Sequence, residues 1–176
     1  MKATGIVRRI DDLGRVVMPK EIRRTMRIRE GDPLEIYTNN DGEVIFKKYS
    51  PIGELSTFSA QFAEALNKVG GLPAVICDRD HIVAVAGVPK KELLERRISA
   101  EMEDALERRK TISLSEESIQ PVEGCERQIS VGCPILSAGD VAGAVMFITS
   151  DGQKADEAQT KLVQAAALFL GKQMES

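Results

Sequence analysis

Within its first fifty residues the chain is interrupted by Asp11-Asp12-Leu13-Gly14, by Pro19, by Gly31-Asp32-Pro33 and by Asn39-Asn40-Asp41-Gly42, so no regular element there can exceed about nine residues. Residues 4–10 alternate as a strand, with Ile6, Arg8 and Ile10 on one side and Val7 and Arg9 on the other. Gly14 supplies the left-handed position of a tight turn, and residues 15–18 return as a second strand. Pro19 suits the first turn of a short helix over 19–27, in which Ile22 and Met26 face a core and Arg23, Arg24 and Arg27 face solvent. Leu34, Ile36, Val44 and Phe46 alternate across the last interruption as a hairpin. A unit this small, without disulfides or metal, buries too little apolar surface to fold alone. An interleaved dimer formed through residues 1–50 is therefore expected.

Charge divides the chain in the same place. Residues 1–29 carry nine Lys or Arg against Asp11, Asp12 and Glu21, a net of +6, although the whole chain has a net charge of −3. A basic arm on an acidic body points to a nucleic-acid partner. Arginine suits that role because its guanidinium stays charged and grips phosphate or guanine edges with two N–H groups. The alternative is that Arg8 and Arg9 decorate a strand and pair with Asp11, Asp12 or Glu21. No second helix precedes 19–27, which excludes a helix-turn-helix and leaves part of the specificity to DNA shape.

The string GIVRRIDDLGRVVMPKEIRRTMRIREGDPLEIY, and above all D-x-x-G-R-V-V-x-P-x-E-I-R-R from Asp11 to Arg24, resembles the AbrB/MazE-type swapped-hairpin DNA-binding domain. That resemblance implies intertwined hairpins forming a β-barrel dimer on double-stranded DNA. Arg8, Arg15, Arg23 and Arg24 stand at the family's DNA-contacting positions, and Arg9 stands where a relative has lysine. Arg27 replaces the glycine with which close relatives end the helix.

Residues 51–54 are expected to be a hinge, and 55–176 a second domain. Leu55, Phe58, Phe62, Leu66 and Val69 recur as a narrow helical seam. Apolar runs at 74–77 and 82–86 flank a turn, and a helix is expected over 90–110. Strands follow at 111–114, 128–136 and 141–150, with a closing helix over about 156–173. The whole is an α+β chain, and this order of elements resembles a GAF-like sensory domain. In the closing helix Leu162, Ala165 and Phe169 are read as the core stripe. Val163, Ala166, Ala167 and Leu170 are then left for contact with the seam of a second chain, and with the arm dimer this builds a tetramer. The resemblance also implies an unidentified small-molecule or protein ligand, for which 111–128, with Glu116, Glu117, Glu123 and Gly124, is the candidate mobile lining. Over both regions the chain resembles sporulation transcription regulators of spore-forming bacteria, which implies activation and repression of late forespore genes.

Other functions have weaker support. With His81 as the one histidine, multi-histidine zinc sites are excluded and no nucleophile–base–orienter set is visible, so neither an enzyme nor a metal or cofactor is expected. Cys77 and Cys133 read as small buried hydrophobes, and Cys125 as the reactive candidate. An antitoxin is a rival, because the N-terminal fold also serves that role, but an antitoxin usually continues as a flexible acidic tail. Seven aromatics make a poor stacking platform for single strands. The longest apolar run, 141–148, is too short for a membrane span, and the charged N-terminus has no apolar signal core; a cytoplasmic protein is expected.

Overall fold

The computed structural model describes residues 3–175, which divide at Tyr49/Ser50 into two compact units. In the first, the turn at 11–14 forms but the flanking segments have no strand ladder. Helix α1 (Lys20–Met26) follows, then strands β1 (Leu34–Thr38) and β2 (Val44–Lys48), paired antiparallel with Ile36 opposite Phe46. The expected strands over 4–10 and 15–18 form no ladder, because nothing among the described residues supplies their backbone partners. Their apolar side chains are left in solvent: Val7 is 85% exposed and Val17 72%. Among its described residues the unit has no buried apolar cluster, Pro19 being the one buried residue.

Pro19, with φ −59° and no N–H to lose, precedes α1. The helix ends on Arg27, at φ 50° and ψ 44°, in the left-handed conformation that glycine normally supplies. The N–H groups of Arg27 and Ile28 donate to the carbonyls of Arg24 and Arg23, at 3.3 and 2.8 Å. The termination expected of glycine is thus kept at the cost of backbone strain.

The second unit opens with α2 (Pro51–Glu54), capped by the Ser50 hydroxyl, which accepts from the Gly53 N–H at 3.0 Å. Ile52 is fully buried, so 51–54 is a packed helix and not the expected hinge. Next come α3 (Ser56–Gly70), β3 (Ala74–Asp78), β4 (Ile82–Ala86), α4 (Lys90–Leu93), α5 (Ala100–Glu107), β5 (Ile112–Ser113), β6 (Gln128–Ser137), β7 (Asp140–Thr149) and α6 (Glu157–Met174). The sheet is antiparallel in the order β4-β3-β7-β6-β5. Strand alternation sends Ala74, Ile76, Val145 and Phe147 into one core beneath α3 and α6. Val75, Cys77, Met146 and Ile148 enter another, closed by α5, Ile119 and Val122.

The single helix expected over 90–110 is two. After α4, Glu95 adopts φ 62° and residues 95–98 run beside the start of β4, with Ile82 N–H donating to Arg96 O and Glu95 N–H to Ile82 O, both at 2.9 Å. Ser99 then starts α5 by accepting from the Met102 N–H at 3.0 Å. Helix α6 begins with a reciprocal cap between Asp156 and Gln159, and Gln159 Nε2 donates to Gly70 O at 2.8 Å. At its other end, a Cβ on Gly171 would lie 2.2 Å from Leu136 O. Only glycine lets α6 lie this close to β6.

Candidate nucleic-acid interface

Arg8, Arg9, Arg15, Arg23 and Arg24 are all exposed and all belong to the first unit. Among the described residues Arg8, Arg9, Arg23 and Arg24 form no ion pair, so the pairing of Arg8 and Arg9 with Asp11, Asp12 or Glu21 is not seen. Arg23 and Arg24 occupy the last turn of α1, where their charge complements the helix's negative end.

Arg15 is the exception, held in a hydrogen-bonded turn with Asp11. The Asp11 N–H donates to Arg15 O at 3.0 Å, and Gly14 N–H to Asp11 O at 3.1 Å, with Gly14 at φ 75°. Asp11 Oδ1 accepts from the N–H groups of Leu13 (3.0 Å) and Arg15 (2.8 Å), while Oδ2 accepts from Arg15 Nε at 2.8 Å. The Arg15 N–H and guanidinium, then the Leu13 N–H, hold the Asp11 carboxyl below the usual carboxylate range. The sequence marks Asp11 as a turn residue; that it also grips the arginine four positions on depends on the turn's geometry.

The expected seam and bundle residues separate into two faces. Leu66, Val163, Ala166 and Leu170 are buried against the chain's own sheet, which corrects the expectation that they meet a second chain. The stripe taken for core is the outer one: Ala165 is exposed, Phe169 is 44% exposed and Leu162 is half-buried. Leu55 is half-buried and Val69 exposed. Phe169 instead meets Phe58 and Phe62 of α3, with ring centroids 5.8 to 6.0 Å apart, in a half-covered aromatic group. Leu168 beside it is 68% exposed. Period alone could not separate the faces, because both stripes of α6 are apolar.

The expected ligand lining is anchored. Ile119 and Val122 are core residues, Gln120 O accepts from Ser99 Oγ at 2.7 Å, and Glu117 pairs with Arg108. An open groove of about 540 Å³ lies elsewhere, beside β4, lined by Ser56, Thr57, Val83, Lys90 and Glu95 among others. His81, at its rim, is exposed. Cys77 is fully buried and burial raises its pKa strongly; burial also raises that of the half-buried Cys133. Cys125 is half-buried, its Sγ accepting from the Arg127 N–H at 3.3 Å. No group of His, Cys, Asp or Glu suited to holding a metal occurs among the described residues, and none of their helices is long and apolar enough to cross a membrane.

Residues 7–53 match the family model for "Antidote-toxin recognition MazE, bacterial antitoxin". Over 51 residues the chain is 61% identical to the transition state regulatory protein AbrB of Bacillus subtilis, covering 29% of this chain and 52% of that protein. Among solved structures, the GAF domain of a phosphoenolpyruvate-protein phosphotransferase from Coxiella burnetii matches 67% of this chain and 80% of its own, at 14% identity and a TM-score of 0.52. That likeness assigns the second unit a GAF fold. Stage V sporulation protein T of Bacillus subtilis is 52% identical over 179 residues, covering 99% of each chain. Residues 54–175 match the family "Stage V sporulation protein T C-terminal, transcription factor", and with that relative they show that the chain belongs to the stage V sporulation protein T family.

Proposed function

We propose that the chain is a transcription regulator of sporulation genes that acts in the cytoplasm by binding double-stranded DNA through Arg8, Arg9, Arg15, Arg23 and Arg24. The observation that carries this reading is five exposed arginines gathered on a unit without a core of its own, four of them with no acidic partner among the described residues. Two such arms pair, each covering the other's open apolar strips, and the paired arms present two sets of arginines to one duplex. A second pairing joins the GAF-fold units through Phe58, Phe62, Leu168 and Phe169 and completes a tetramer. The regulator activates some late forespore genes and represses others, and a small ligand of the GAF-fold unit would enter by the groove beside β4. An antitoxin reading rests on the description of the family matched by 7–53, and the cored domain over 50–176 is unlike a toxin-wrapping tail.

The test is affinity for a DNA duplex as a function of salt, for the wild type and the Arg23→Ala/Arg24→Ala double variant. Neutralising phosphates releases counterions, so log affinity falls with log salt at a slope of about −0.9 per phosphate neutralised. The wild type gives a steep line and the variant a shallower one. A flat wild-type response rejects the reading.

A further inference from the structure

We propose that Asp11, although its charge opposes that of DNA, is a positioning residue that aims Arg15 at the duplex. The inference rests on the reading that Arg15 contacts DNA. An acidic side chain beside a phosphate-binding arginine is unfavourable on charge alone, so its placement calls for a compensating role. Stability is a poor candidate. The side chains of Arg15 and Asp11 are 70% and 37% exposed, and exposed ion pairs contribute little to folding.

The geometry supplies the role. Arginine carries five N–H donors, one on Nε and four on the terminal nitrogens. Asp11 Oδ2 takes the Nε donor at 2.8 Å, while no other hydrogen bond from the Arg15 guanidinium is seen among the described residues. The terminal fork therefore remains available for two parallel bonds to a phosphate or a guanine edge. At the same time Oδ1 holds the N–H groups of Leu13 and Arg15, so one carboxylate fixes both the turn from which the arginine springs and the direction of its side chain. A guanidinium ordered before binding has less freedom to lose when it meets DNA. The Asp11 carboxyl is held below the usual carboxylate range by these same bonds.

Charge and positioning make opposite predictions, so the inference can fail cleanly. Asp11→Asn removes the negative charge and keeps an oxygen for the two backbone N–H groups, but replaces the acceptor facing Arg15 Nε with a donor. Electrostatics alone predicts tighter binding. Positioning predicts weaker binding, by about three- to tenfold, despite the added net positive charge. The experiment measures affinity of the full chain for a duplex selected from random sequence by the wild type, using Asp11→Asn, Arg15→Ala and the double variant. The expected result is a loss in Asp11→Asn that disappears in the Arg15→Ala background. Unchanged or tighter binding by Asp11→Asn overturns the proposal, as does an equal loss in both backgrounds, which would make Asp11 a turn residue only. Wild-type affinity in Arg15→Ala overturns instead the reading on which the proposal rests.

Discussion

The two units of this chain solve the problem of apolar surface in opposite ways. In the unit over 50–176 two cores lie on the two faces of one sheet, and Phe147, Met102 and Leu170 are among the side chains wholly removed from solvent. Among the described residues of the first unit no apolar cluster is buried, and twelve of the sixteen large hydrophobic side chains that are exposed in the described chain belong to it. Burying apolar surface is the main favourable term in folding. The larger unit obtains that term internally, whereas on the proposed pairing of arms the smaller one would obtain it from another chain. The difference teaches that the basic charge and the open apolar strips sit on one unit, and under the proposed pairing the DNA-reading surface would form by association.

The comparison breaks most visibly at Val16 and Val17. Replacing both with aspartate places charge on both sides of the segment, and DNA affinity should fall by about 100-fold or more, since charged groups are costly to bury. The second unit's melting transition should stay where it is. DNA binding that survives this change, measured by fluorescence anisotropy, would mean that the arm needs no partner. Next in size is Leu170→Ala, which should lower stability by about 2–5 kcal/mol in a denaturant titration, because the fully buried side chain leaves a cavity. Its neighbour sharpens the contrast. Phe169→Ser should change stability much less while shifting the proposed tetramer to dimers in sedimentation experiments, and an unchanged mass would reject the aromatic group as an interface.

These two adjacent residues also mark where sequence pattern stops being informative. The length of α6 and its approximate start were legible, since the apolar residues recur at helical spacing, and the folded chain adds the cap between Asp156 and Gln159. Its rotation was not, because Leu162 and Phe169 form as good a stripe as Val163 and Leu170. What turns the helix is a pair of contacts remote in sequence: Gln159 on Gly70 O, and the close approach of Gly171 to Leu136 O. The break between α4 and α5 leaves no mark in the sequence for a similar reason, as Glu95 takes a left-handed conformation that the backbone bonds to Ile82 hold in place. In the arm, the turn at Asp11–Gly14 and helix α1 could be read directly from Gly14 and Pro19. The ladder on either side of that turn could not form, since local pattern favours a strand but cannot supply its partner. The five arginines were legible as chemistry, whereas the grip of Asp11 on one of them required the folded turn.

Two smaller effects refine the picture. Arg27→Gly should raise the arm's stability by about 1 kcal/mol in thermal melts, because glycine adopts the left-handed cap without a Cβ penalty. Its loss of one positive charge should slightly reduce affinity for DNA, so stability and binding would move in opposite directions. Finally, thiol labelling of the native protein should modify Cys125 before Cys133, and leave Cys77 untouched until the second unit unfolds. Early labelling of Cys77 would show that the sheet opens more readily than its packing indicates.

The open apolar strips of the arm have a consequence for dosage. If the reading surface is shared between two chains, its abundance follows the product of two concentrations while most chains are still single. Halving the number of chains in that regime removes about three quarters of the readers. A gene served by such a regulator would respond to the accumulation of the protein with a threshold, before any signal reaches the second unit.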